Sequence, residues 1–149
     1  MKIKLLLSDE KAEEIKQMLI SSGFEIDDAA ELIIMQRDTF PSHLAVRNEE
    51  GMRLNISVED IVFIESYGHD VDVHTAEGVY KSSDRLYQLC AALNPECFLR
   101  ISNSVIISRK HVRKIRPSLS MKFILTMSDG TLVDVTRSYY STFREFFKI

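Results

Sequence analysis

The chain has 149 residues, of which 45% are hydrophobic and 28% charged, with 5 Gly and 3 Pro. This composition is typical of an ordinary globular protein and excludes a disordered, collagenous or linker-rich chain. The net charge of −3 excludes a uniformly basic protein, and 2 Cys are too few for a disulfide framework. No apolar run reaches the roughly 18–20 residues that cross a bilayer, so we expect a cytoplasmic protein.

Residues 1–43 are predicted to form a short β-α-β segment. The apolar run Ile3–Leu7 indicates a strand, and Ser8 or Asp9 can cap the helix that follows it. A second apolar run, Leu32–Met35, completes the segment. Residues 1–44 carry nine Asp/Glu and five Lys/Arg, which makes this part of the chain acidic. We expect the segment to support dimerisation or to bind a partner.

Residues 44–149 are predicted to form a mostly β domain with antiparallel sheets. Ile61–Ile64 is a continuous apolar run, which is typical of a strand covered on both faces. Asn48–Gly51 and Ser128–Gly130 are turn sequences between apolar runs, and each predicts a hairpin.

Two helices are expected to flank these strands. The first spans about residues 84–93, with Ser82 or Ser83 as its cap, and Asn94-Pro95 ends it. Its apolar stripe consists of Leu86, Leu89, Cys90 and Leu93. The second helix closes the chain with aromatic residues at helical spacing: Tyr139, Tyr140, Phe143, Phe146 and Phe147.

One stretch of the chain is basic although the whole protein is acidic. No Asp or Glu occurs between Glu96 and Asp129. The cations in that interval are Arg100, Arg109, Lys110, Arg113, Lys114, Arg116 and Lys122. On charge alone the stretch fits either a solvated face or an anion-binding surface.

Several motifs occur in a fixed order along the second part of the chain. They are Ile61-Val62-Phe63-Ile64-Glu65, His69, Gly78-Val79-Tyr80-Lys81, Leu86, Phe98–Ile107 and Val133–Tyr139. Together they resemble the LytTR family, β-rich DNA-binding domains that usually occur in bacterial response regulators. The resemblance covers about residues 44–149. It implies elongated antiparallel β-sheets whose loops enter successive major grooves of double-stranded DNA.

The resemblance implies three base-contacting or backbone-contacting residues: His69, Asn103 and Arg137. His69 follows Gly68 in a turn, and Asn103 offers the donor and acceptor that match the edge of adenine. Arg137 falls at the start of the predicted C-terminal helix, where a cation opposes the helix dipole. A phosphate or a guanine edge would account for that charge, and so would an ion pair with Asp134.

Other polar residues near these positions are candidates for contact with phosphates, which set the register without reading the sequence. They are Lys81, Arg100, Ser102, Ser104, Arg109 and Lys110, together with Arg113 and Arg116. Alternation along a strand places Arg113 and Lys114 on opposite faces, so one of them is expected to face away from DNA.

The sequence therefore predicts a sequence-specific regulator of transcription that binds double-stranded DNA as a homodimer on repeated half-sites. Only about 40 residues precede the β-domain, so we expect no phospho-receiver domain, and the resemblance allows control by a membrane protein. The alternative is a protein-interaction module whose basic surface meets an acidic partner. An enzyme is not expected, because no nucleophile–base pair, phosphate loop or metal motif occurs. We accordingly expect no cofactor and no metal site.

Overall fold

The computed structural model describes residues 1–7, 9–36 and 40–149, with the side chains of residues 9–11 excepted. The chain divides into two compact units, Met1–Phe40 and Pro41–Ile149. None of the helices in the described residues is long and apolar enough to span a bilayer.

The first unit is a three-stranded parallel sheet with one helix. Its elements are β1 (Lys2–Leu6), α1 (Asp9–Ser21), β2 (Glu25–Ile26) and β3 (Leu32–Met35). The strand order is β2-β1-β3, so β3 is an edge strand. The predicted β-α-β segment is thus present, with the short β2 added. The predicted cap at Ser8 lies outside the described residues.

The second unit contains a seven-stranded antiparallel sheet in the order β5-β4-β8-β7-β6-β10-β9. Its strands are β4 (His43–Arg47), β5 (Arg53–Ser57), β6 (Ile61–Tyr67), β7 (Asp70–Thr75), β8 (Gly78–Ser82), β9 (Phe98–Arg100) and β10 (Val105–Ser108). Asn48 closes the first hairpin, because its side-chain oxygen accepts hydrogen bonds from the amides of Glu50 and Met52.

A second antiparallel sheet and two helices complete this unit. The sheet has the order β11-β12-β13 and consists of β11 (Val112–Ser118), β12 (Lys122–Met127) and β13 (Leu132–Val135). The helices are α2 (Leu86–Ala92) and α3 (Tyr140–Phe147). The predicted mostly β fold with flanking helices is confirmed.

The buried strand β6 serves two hydrophobic cores. Ile61 and Ile64 pack with Leu86 and Leu89 of α2, whereas Val62 and Phe63 pack with residues of β12, β13 and α3. The pairing of β6 with β7 shifts between Ile61 and Phe63. Such a β-bulge changes which face the following side chains occupy, so neighbouring residues can enter opposite cores. The prediction of a strand covered on both faces is confirmed, since residues 61–64 are at most 2% exposed.

The predicted caps of α2 are wrong. Ser82 is the last residue of β8, and its hydroxyl accepts a hydrogen bond from the Asp84 amide. The helix starts four residues later than Ser82, and its N-cap is Arg85, whose amide donates to the Gln88 side chain at 2.8 Å. The apolar stripe is as predicted, with Leu86, Leu89 and Leu93 buried.

The C-terminal helix also begins later than predicted. Arg137–Tyr139 forms a 3-10 turn, and α3 starts at Tyr140. Arg137 therefore precedes the helix, so its charge is not in the first turn, where it would oppose the helix dipole. Phe143 is fully buried and lies against Phe123, with ring centroids 5.0 Å apart. This contact holds α3 on the second sheet.

His111 joins the two sheets of the second unit. Its Nε2 lies 2.7 Å from the carbonyl oxygen of Glu59, and its Nδ1 lies 2.7 Å from the Ser128 hydroxyl. A carbonyl only accepts, so Nε2 carries a proton and donates it to Glu59. The Ser128 amide in turn donates to the His111 carbonyl at 2.7 Å. The imidazole thus links the turn before β6 to the turn after β12.

We expect His111→Ala to lower the free energy of unfolding by about 1–3 kcal/mol, because it removes two hydrogen bonds that each contribute about 0.5–1.5 kcal/mol. Urea denaturation followed by circular dichroism measures the change. The matched control is His69→Ala, which removes an exposed imidazole from a turn and should change stability by less than about 0.5 kcal/mol. Equal stability of His111→Ala and wild type would show that this link contributes nothing.

Candidate nucleic-acid interface

Three loops meet at one end of the two sheets. We call this surface the loop edge, and it comprises residues 67–70, 101–104 and 136–139. The Ser66 amide at the end of β6 donates to the Ser104 carbonyl at 2.8 Å. The Thr136 amide after β13 donates to the Ile101 carbonyl at 3.0 Å. Loop 101–104 is therefore bonded to the end of β6, next to the turn 67–70, and to the first residue of segment 136–139.

The three residues that the resemblance singled out all lie exposed on the loop edge. His69 is in the turn between β6 and β7, Asn103 is in the middle loop, and Arg137 follows β13. The Tyr139 hydroxyl lies 3.4 Å from the Asn103 side-chain oxygen, which ties the second loop to the third. The structure thus places imidazole, amide and guanidinium groups on the three segments of the same edge.

Arg100 shapes the middle loop. Its Nε donates to the Ser102 carbonyl at 3.1 Å, and its terminal nitrogen donates to the Asn103 carbonyl at 2.6 Å. Ser102 is only 7% exposed, and its hydroxyl accepts a hydrogen bond from the Ser104 amide at 3.2 Å. Arg100 and Ser102 therefore use their polar groups inside the protein, and they position Asn103 and the partly exposed Ser104.

Lys81 lies beside the His69 turn but is already paired. Its ammonium nitrogen is 2.5 Å from Asp72, its cross-strand neighbour, and 3.7 Å from Asp70. The hydrogen bond to Asp72 is the main reason why the pKa of Lys81 is raised above its usual range. The lysine stays charged, and two carboxylates offset its charge.

Arg109 and Lys110 lie at the other end of the sheets. We call this surface the opposite edge, comprising residues 58–60, 76–77, 109–111 and 128–130. Strand β10 leads from the loop edge to it. The Arg109 guanidinium donates to the Phe146 carbonyl at 2.6 Å and stacks 4.5 Å above the Phe146 ring. Lys110 is 3.9 Å from Glu59. The structure therefore does not bring these two cations to the loop edge.

Within the described residues, Arg137 does not form the alternative ion pair with Asp134. Among the ion pairs of the described residues, none joins Arg137 to Asp134. The residue is exposed, and the part of the chain that the structure describes gives its guanidinium no hydrogen bond. Its five donors are available to a ligand such as a phosphate or a base edge.

Two residues of this surface were missed by the sequence analysis. Arg85 donates to the His69 carbonyl at 3.4 Å and adds an exposed cation beside the turn. Tyr67 is 75% exposed at the end of β6. The sequence does signal Tyr67, since it directly precedes the Gly68-His69 turn, but no local pattern links Arg85 to a residue 16 positions away.

An exposed edge of hydrogen-bonding and cationic side chains on antiparallel sheets fits the class of β-type nucleic-acid-binding domains. No group of three or more His, Cys, Asp and Glu within the described ranges could hold a metal ion. A family model for the LytTr DNA-binding domain matches residues 52–148, more than half of the chain. The chain belongs to the LytTR family of DNA-binding domains.

Three curated relatives agree with this assignment. The chain is 30% identical over 106 residues to the sensory transduction protein LytT of Bacillus anthracis, covering 71% of this chain and 43% of that protein. It is 28% identical over 139 residues to LytT of Bacillus cereus, covering 93% of this chain and 54% of that protein. The transcriptional regulatory protein LytR of Staphylococcus aureus is 24% identical over 119 residues, covering 79% of this chain and 48% of that protein.

The fold has a counterpart among solved structures. A LytTr DNA-binding domain from Bacillus cereus superposes with a TM-score of 0.70 at 23% sequence identity, covering 73% of this chain and 99% of that chain. The present chain spans about half the length of the curated relatives it matches.

We expect Asp72→Asn to raise the affinity for duplex DNA about two- to fivefold at low salt, because it removes an anion beside the loop edge and the stronger of the two ion pairs of Lys81. Fluorescence anisotropy with a labelled duplex measures the change. The control is Glu77→Gln, which makes the same charge change at the opposite edge. An equal gain in affinity in both variants would show that the affinity depends only on the net charge of the protein.

Proposed function

We propose that this protein regulates transcription by binding specific sequences of double-stranded DNA in the cytoplasm, with the loop edge entering successive major grooves. The observation that carries the proposal is the bonding of loop 101–104 to Ser66 at the end of β6 and to Thr136 after β13. This bonding supports a defined spacing of the three exposed side chains, which recognition of a periodic duplex requires.

The side chains of the loop edge suit different parts of DNA. Arg137 can bind guanine or phosphate with its guanidinium, Asn103 matches the edge of adenine, and His69 can donate or accept. Ser104, and Arg85 beside the loop edge, can bind phosphates and set the register, whereas Lys81 contributes less because Asp70 and Asp72 offset its charge. Arg100 and Ser102 contribute by holding loop 101–104. Arg109 and Lys110 are outside the proposed interface, because they lie at the opposite edge.

The test is selection of bound sequences from a library of random duplexes. We expect enrichment of one sequence motif, repeated at a fixed spacing if two copies bind together. Affinity for the recovered duplex should fall steeply with salt concentration, since phosphate contacts release counterions. Tight binding of an acidic protein with no preference among duplexes would instead support the protein-interaction module.

On the recovered duplex, Arg137→Ala should cost about 1–3 kcal/mol of binding free energy and reduce the preference at one base position, because a bidentate contact is lost. Anisotropy titrations against the duplex and its single-base variants measure both effects. Lys110→Ala is the control, since it removes a cation from the opposite edge and should leave both unchanged. Equal losses in the two variants would contradict the assignment of Arg137.

We further propose that the protein binds DNA as a homodimer on repeated half-sites through the first unit. Strand β3 supports this, because one of its edges has no partner strand within the described residues and its sequence is apolar and uncharged. Leu32, Ile33 and Ile34 are 53%, 45% and 37% exposed. Such an edge readily pairs with the same strand of a second copy. We propose that control comes from a partner of this unit, a membrane protein included, and not through phosphorylation of a receiver domain.

We expect Ile33→Lys to raise the dissociation constant of the dimer about tenfold or more, because it places a charge in the centre of the pairing strand. Sedimentation velocity over a range of protein concentrations measures the constant. Met18→Lys, on the exposed side of α1, is the control and should leave the dimer intact. A wild-type protein that sediments as a monomer while it binds DNA would contradict the proposal.

A further inference from the structure

The hairpin between β11 and β12 ends in an exposed apolar tip. Ser118 pairs with Lys122, so the tip consists of Leu119, Ser120 and Met121. Leu119 is 88% exposed and Met121 is 50% exposed. Ser120 and Met121 have φ angles of 65° and 57°, a left-handed conformation that costs a non-glycine residue free energy.

The strand register places the tip at the loop edge. Phe123 in β12 pairs with Val135 in β13. Residues just before Phe123 therefore lie beside residues just after Val135, and the latter are Thr136 and Arg137. The other end of β12 reaches the turn 128–130 at the opposite edge. The apolar tip is consequently a neighbour of Arg137.

The two strands that carry the tip present cations on one face. Arg116 pairs with Ile124 and Ser118 pairs with Lys122, so alternation puts Arg116 and Lys122 on the same side of the sheet. Both are exposed, and within the described ranges neither takes part in an ion pair. Asp134 pairs with Ile124 on the same face and is the nearest acid by register. The hairpin therefore carries net positive charge.

We propose that this hairpin is an additional DNA contact, in which Leu119 packs against a thymine methyl group next to the base bound by Arg137, while Arg116 and Lys122 bind the flanking phosphates. This inference rests on the proposed function. Apolar contact with the thymine methyl is a direct way to distinguish A·T pairs in the major groove. Cations on the same hairpin complement the phosphates that border such a base.

Position favours DNA over another partner for this tip. A duplex that engages Arg137 brings its backbone within reach of the adjacent hairpin, so the contact needs no second binding event. An exposed leucine between cations gains most by burial against an apolar surface that is itself bordered by anions, because the cations then gain partners as well. The methyl group of thymine within a polyanionic groove has both properties.

The experiment uses the duplex recovered by selection on the wild-type protein. Each thymine is replaced in turn by uracil, which removes only the methyl group. We expect one replacement near the Arg137 position to weaken binding about fourfold, the effect of losing one buried methyl group. The same replacement should have no effect on Leu119→Ser. The control is Leu132→Ser, which removes a leucine that is 63% exposed at the other end of the same sheet and should retain the fourfold effect.

Salt dependence tests the cations of the hairpin separately. Lys122→Ala should reduce the slope of log affinity against log salt by about 1, whereas Lys110→Ala should leave it unchanged. Circular dichroism establishes that each variant is folded. If Leu119→Ser binds every uracil-substituted duplex as the wild type does, the hairpin contact is refuted while DNA binding stands. If the selection enriches no duplex, both the proposed function and the hairpin contact are contradicted.

Discussion

Two backbone hydrogen bonds between separate elements determine the geometry of the loop edge. The Ser66 amide donates to Ser104, and the Thr136 amide donates to Ile101, so the middle loop is bonded on both sides. At the opposite edge, His111 bridges the corresponding turns through Glu59 and Ser128. The two sheets are thus fastened at both ends. The exposed side chains lie on short loops whose backbone groups form hydrogen bonds. Such loops restrict the positions of their side chains more than loops without hydrogen bonds do.

The elements of the fold were largely predictable because their signals are local. The run Ile61–Ile64 indicates a buried strand, and Asn48–Gly51 supplies the turn whose side-chain hydrogen bonds the structure shows. The bulge in β6 was not predictable, since four apolar residues in a row give no sign of which face each one occupies. The cap of α2 was misplaced for a different reason. Ser82 has the right chemistry for a cap, but β8 extends through it, and its hydroxyl closes the turn at Asp84.

The residues of the candidate site were identified by the family resemblance more than by local physical chemistry. Nothing in the spacing of His69, Asn103 and Arg137 shows that they meet, because long-range pairing brings them together. The position of Arg109 relative to Asn103 was not evident from the basic run for a related reason. Arg109 lies only six residues after Asn103, yet the intervening strand β10 has four residues, and a strand rises about 3.3 Å per residue. The direction of that strand, read from the antiparallel order, would have placed Arg109 at the opposite edge.

Formal charge is a poor measure of how strongly this surface attracts a polyanion. Asp70 and Asp72 offset the charge of Lys81, and Arg109 is bonded to a carbonyl and two aromatic rings. Arg100 directs its donors to the loop backbone. Lys81 and Arg100 therefore attract a polyanion less than their formal charges suggest, because nearby groups occupy their donors. Arg109 contributes little at the loop edge because it lies at the opposite edge. Salt dependence of binding therefore reports those cations of the loop edge that have no such partner among the described residues.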